Sequence, residues 1–131
     1  MRKLFDNVKV LASLVPATRT ADANGTGVDT QGYENAMLVV AAGDIDLAST
    51  DETYVIELEE SDDNSSWSDV TGFDVTITAD NEVDMVRIPN LNTARKRYLR
   101  AVLNVGGTTP SFPGTAIFLL GGGDSGPVNS D

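Results

Sequence analysis

The chain has 131 residues, 9 Lys plus Arg, 20 Asp plus Glu, a formal net charge of −11, and neither His nor Cys. That length fits one domain whose core needs no disulfide or metal to stay folded. The composition excludes disulfide frameworks, thiolate nucleophiles, Cys or His zinc sites and the Ser-His-Asp triad, and the acidity speaks against nucleic acid as a partner.

No run approaches the ~20 apolar residues of a membrane span. Met1-Arg2-Lys3 followed by Val10 to Val15 mimics a signal peptide only weakly, because Asp6, Asn7 and Lys9 break the apolar stretch. Leu4, Phe5, Val8, Leu11, Ala12 and Val15 fit a helical period, while Val8, Val10, Ala12 and Leu14 fit strand alternation. The β-branched Val8 and Val10, with Pro16 beyond them, favour an extended segment. Ala21 to Gly27 reads as a turn through Asn24-Gly25. Val28 to Tyr33 is short and polar, and Asn35 to Ala42 reads as a central strand buried on both faces.

Gly43 to Asp51 is an acidic loop. Thr53 to Glu59 is the cleanest strand, with Tyr54, Ile56 and Leu58 inward and Glu57 and Glu59 towards water. Ser61 to Ser66 is a turn by composition, and Trp67 opens the returning strand. Phe73 to Thr78 and Glu82 to Ile88 follow as strands, the second ended by Pro89. Asn90 to Arg97 is a connection with room for one helical turn. Arg97 to Val105 places Leu99, Ala101, Leu103 and Val105 on one face, and Thr115 to Leu120 is the last strand. Residues 121–131 begin Gly121-Gly122-Gly123 and read as a mobile, acidic tail. About eight short strands predict an all-β, single-domain antiparallel sandwich over 1–120, Ig-like or jelly-roll-like, with an N-terminal arm at about 1–7; a closed barrel is the alternative.

Few residues suggest chemistry. Asp44, Asp46 and Asp51, and Glu59, Glu60, Asp62, Asp63 and Asn64, form two acidic clusters. Oxygen ligands at such spacing suit Ca²⁺, but neither cluster has the EF-hand pattern, and a solvated turn is the simpler reading. A carboxylate acid/base pair is the one enzymatic possibility left, and nothing else supports it. Arg87, Arg95, Lys96, Arg97 and Arg100 gather five of the nine cations into fourteen positions. They either dock an acidic partner or neutralise the chain's own carboxylates, such as Glu57 and Glu59 on an adjacent strand. Trp67 either caps the core or stacks on a sugar. The expected role is binding or structural, not enzymatic, with no cofactor, metal or small-molecule substrate.

Several stretches together resemble a known family. They are Asn7 to Val10, Leu14 to Ala17, Val28-Asp29-Thr30-Gln31-Gly32-Tyr33-Glu34, Leu58 to Val70 with its Ser-Asp-Asp-x-Ser-x-Trp turn, and Lys96-Arg97-Tyr98-Leu99-Arg100-Ala101-Val102-Leu103. In this order they are similar to capsid decoration, cement or minor head proteins of tailed bacteriophages, across roughly Asn7 to Leu120. Family members often carry Gly where this chain has Asn64, a residue that tolerates the same left-handed backbone.

The resemblance implies a structural virion protein, made in the bacterial host cytoplasm and bound on the outer capsid surface across subunits of the major capsid protein. It also implies a homo-oligomer, a trimer above others. It carries over no active site. Asp62, Asp63, Asn64 and Trp67 become fold determinants of a hairpin and the core. The docking candidates are Arg2, Lys3, Leu4 and Phe5 in the arm, and Arg95, Lys96, Arg97 and Arg100 in the basic stretch. A carbohydrate-binding or Ig-like adhesion module, of a virion or a cell surface, is the alternative function.

Overall fold

A computed structural model describes residues 7–122. The expected arm residues Arg2, Lys3, Leu4 and Phe5, and 123–131 of the expected tail, lie outside the described residues. The chain runs β1 (Val8–Arg19), β2 (Ala23–Asn24), β3 (Val28–Asp29), β4 (Asn35–Ala42), β5 (Thr53–Ser61), β6 (Ser68–Asp69), β7 (Val75–Ile77) and β8 (Val83–Ile88). A single helical turn, α1 (Leu91–Ala94), then leads into β9 (Tyr98–Gly106) and β10 (Phe112–Gly121). No helix among the described residues is long and apolar enough to cross a membrane.

The strands form two antiparallel sheets. One has the order β1-β10-β4-β8; the other has β2-β9-β5-β6, with β3 also on β9 and β7 also on β5. Both are open, so the architecture is the expected sandwich and not the barrel. Alternation decides what lies between them: Tyr54, Ile56 and Leu58 of β5 and Leu99, Ala101 and Leu103 of β9 face Leu38 and Val40 of β4 and Phe118 and Leu120 of β10, all buried. Tyr54 and Phe112 stack across the two sheets with ring centroids 5.9 Å apart. The Tyr54 hydroxyl is satisfied at the rim, donating to the Asp46 carbonyl at 2.5 Å and accepting from Ser111 N–H at 2.9 Å.

Two expectations change. Asn24-Gly25 is not a hairpin turn, because β2 and β3 both lie along β9, with Asn24 opposite Val102 and Val28 opposite Leu99. The break between them is filled by Ser13 of β1, which reaches over from the other sheet. Ser13, buried in a register shift of β1, accepts from Ala101 N–H at 2.9 Å and donates to the Thr26 carbonyl at 2.8 Å. Gly25 N–H donates to the Ala101 carbonyl at 2.7 Å. A Cβ on Gly25 would lie 2.3 Å from Ser13 Oγ and 2.5 Å from that carbonyl oxygen, so only glycine fits.

The second change concerns β4, whose bounds are as expected but whose burial is one-sided. Ala36, Leu38 and Val40 are buried, whereas Met37, Val39 and Ala41 are only half-buried. Nothing among the described residues covers their side of the sheet, so the apolar run does not mark a doubly covered strand. At one end of this sheet Val8 pairs with Gly121, which brings the two ends of the described chain together.

Candidate docking surfaces

The basic stretch comes together on the outside of the six-stranded sheet, where register makes it pair with carboxylates of its own chain. Arg100 stands directly opposite Glu59, and its Nη2 and Nε lie 2.6 and 2.8 Å from Glu59 Oε1. Arg97 grips Asp29 with two bonds, Nε to Oδ1 at 2.9 Å and Nη2 to Oδ2 at 2.8 Å. Arg95 Nη1 lies 3.6 Å from Glu60 Oε1, and Lys96 Nζ lies 3.8 Å from Asp62 Oδ2. The Arg97 guanidinium beside Asp29 holds that carboxyl below its ordinary value, and the same bond raises Arg97.

Each arginine also covers an aromatic ring. Arg100 Cζ lies 4.5 Å from the Trp67 centroid, Arg97 5.1 Å from Tyr98 and Arg95 5.6 Å from Phe73. Trp67 therefore does not enter the core as expected. Odd-numbered residues around β6 point outward, and the indole is half-buried beneath Arg100, with Asn64 and Gly27 at its edge. Arg87 separates from the other four: it lies on β8 of the opposite sheet, exposed and without an ion-pair or hydrogen-bond partner among the described residues.

The turn after β5 is built by its own side chains. Ser61 Oγ accepts from Asn64 N–H at 2.9 Å, and Asp63 Oδ1 accepts from Ser65 and Ser66 N–H, both at 2.9 Å. Those two N–H groups hold the Asp63 carboxyl below its ordinary value. Asn64 sits at φ 60°, the left-handed conformation expected of it. Asp62 points outward to Lys96. The other acidic cluster is likewise occupied with loop geometry. Asp46 accepts from Ala48 N–H at 2.8 Å, Asp44 from the Asn81 amide at 3.3 Å, and Asp51 from Thr108 N–H and hydroxyl at 3.1 and 2.7 Å. Among the described residues no group of three or more acidic side chains is arranged to hold a metal ion.

The surface that sequence reading missed is the outer face of the four-stranded sheet. Register places Val10, Leu119, Met37 and Arg87 in one row across it. The next row is Ala12, Ile117, Val39 and Met85, and Thr115, Ala41 and Val83 follow. The edge residues are the most open: Val10 is 56% exposed, Val83 68% and Met85 38%. Arg87 is the one charge in these rows. A shallow apolar depression of about 260 Å³, lined by Val8, Met37 and Leu119 among others, lies at the end where β1 begins. The available signal was β8 itself, which reads Val83, Met85, Val86 and Ile88 and so is apolar on both sides of its pleat. An antiparallel strand with one solvated face would alternate instead.

The fold is similar to that of a solved protein. The crystal structure of the PBSX exported protein XepA matches with a TM-score of 0.60 at 18% sequence identity, covering 100% of this chain and 42% of that one. The chain thus spans less than half the length of that neighbour. No protein-family model matches the chain, and no curated protein matches it.

Proposed function

We propose that the chain is a structural virion protein of a tailed bacteriophage that decorates or cements the capsid by binding across subunits of the major capsid protein. The observation that carries this reading is the resemblance of its ordered stretches to capsid decoration proteins. The fold shared with the PBSX exported protein XepA is in keeping with it. Binding rather than catalysis is the role that fits: Asp46, Asp51 and Asp63 cap loop N–H groups, Asp29, Glu59 and Glu60 face arginines, and the chain has no His or Cys.

Capsid docking is assigned to Arg2, Lys3, Leu4 and Phe5 rather than to the basic stretch. Arg95, Lys96, Arg97 and Arg100 each already face a carboxylate of their own chain, so a partner would have to displace it. Many weak contacts repeated over a shell act together through multivalency. The test is co-sedimentation with expanded capsids stripped of this protein. Saturable pelleting in simple ratio to capsid subunits, lost on deletion of residues 2–5, is the expected result. A folded protein that never pellets would overturn the reading and leave the adhesion module to be tested by glycan binding and Trp67→Ala.

A further inference from the structure

We propose that the outer face of the four-stranded sheet is the surface through which two copies of this chain associate, packed face to face about a two-fold axis. The inference does not rest on the virion reading. It rests on area, charge and shape.

Four strands about 4.8 Å apart and roughly 25 Å of strand length give on the order of 500 Å² per copy. Two copies together then bury about 1,000 Å², the floor for a specific interface. A contiguous apolar face of that size also stands at the upper end of what monomers leave in water.

Charge selects the face. Each copy carries a net charge of −11, so most approaches bring carboxylates together. The outward rows of this sheet contain no carboxylate, whereas the outside of the six-stranded sheet carries Glu57, Glu59 and Asp69. Face-to-face packing therefore points the acidic sheets away from each other. Ile117 and Val39 sit at the centre and Arg87 on an edge strand, so a two-fold axis running along the strands through the centre puts the two Arg87 side chains on opposite rims. An apolar centre with a charged rim is the usual anatomy of an interface.

Shape favours a second copy over an unrelated surface. A twisted sheet packs best on another sheet of the same twist, about 10 Å away and turned by about 30°. A copy of the same sheet has that twist.

Sedimentation equilibrium of the full chain from about 1 µM to about 500 µM tests this, a range suited to an interface at the small end of the scale. The apparent mass is expected to rise from one chain to two. Val10→Glu and Met85→Glu, both at exposed positions, should abolish the rise, while Thr76→Glu, exposed on the other sheet, should leave it unchanged. The chain has no Cys, so Ile117→Cys adds a lone thiol near the axis. Its oxidation to a covalent pair, absent for Thr76→Cys, supports the same face even if a Glu variant folds poorly. A mass of one chain throughout the range overturns the proposal, as does association that survives both Glu substitutions. A single-chain mass combined with capsid pelleting that is lost in Met85→Glu also overturns it, assigning the face to another protein while leaving the proposed function standing.

Discussion

The Ser13 hydroxyl accepts the Ala101 N–H at 2.9 Å, so a residue of one sheet completes the backbone hydrogen bonding of the other. The need for it arises where β2 stops and β3 has not begun, which leaves β9 without a neighbour for its Ala101 amide. Both groups are buried, and the same hydroxyl satisfies the Thr26 carbonyl. Ser13→Ala should therefore leave a buried donor and an acceptor unpaired and cost about 1–3 kcal/mol in urea unfolding. Gly25→Ala should cost at least as much, because its Cβ meets the Ala101 carbonyl, which cannot swing away. A midpoint unchanged in both variants would refute this account of the contact between the sheets.

Trp67 is the chain's one Trp, so its fluorescence reports directly on the Arg100 contact. Arg100→Ala removes the cation from the indole face and leaves Glu59, whose side chain is only 20% exposed, without its partner. Emission should shift to the red, and stability should fall by about 2 kcal/mol. Arg100→Lys keeps the charge but loses the planar stack, and should fall between the two. An unshifted spectrum in Arg100→Ala would show that the stack does not persist in solution.

Acid should weaken the fold through Asp29 and Asp63, whose carboxyls are held below their ordinary values by Arg97 and by the Ser66 and Ser65 N–H groups. In acid the unfolded chain binds more protons than the folded one, so stability rises with pH. Their contribution is complete above the ordinary value of about 3.9 and is lost as the pH falls through the lower folded values. Urea midpoints measured from pH 6 down to pH 2 should show this decline, and Asp29→Asn should flatten it. A decline of equal steepness in Asp29→Asn would remove Asp29 from the explanation.

Asn64 holds the left-handed position of the turn at φ 60°. Asn64→Gly should change stability by less than about 0.5 kcal/mol, since glycine meets no steric penalty there. Asn64→Val should cost about 1–2 kcal/mol, because a β-branched side chain strains that backbone. Thermal unfolding of the two variants checks this, and equal midpoints would mean the turn relaxes to another shape.

What the sequence made legible was local. The parity of β5 and β9 was readable because each strand alternates over a single buried face, and Asn64 was readable because the turn chemistry lies within seven residues. What it hid depends on distant pairing. Asn24-Gly25 has hairpin composition, but a hairpin needs its flanks to pair with each other, and both flanks here pair with β9, some 70 residues on. Glu59 was readable as one possible partner for the basic stretch on an adjacent strand, but that it meets Arg100 in particular is fixed only by the register of β5 on β9. The uncovered sheet face was hidden for another reason: an apolar residue looks the same in sequence whether or not anything lies over it.

The pairing of Val8 with Gly121 has a mechanical consequence. A tension applied between the two ends of the described chain enters at neighbouring positions of β1 and β10. Their ladder bonds run perpendicular to the strands, so the load opens them pair by pair from that end instead of sharing it among all at once. Pulled by its ends, the sandwich unzips easily. Squeezed or sheared across its faces, it engages the whole core, so its strength is available only to a partner that grips the sheets.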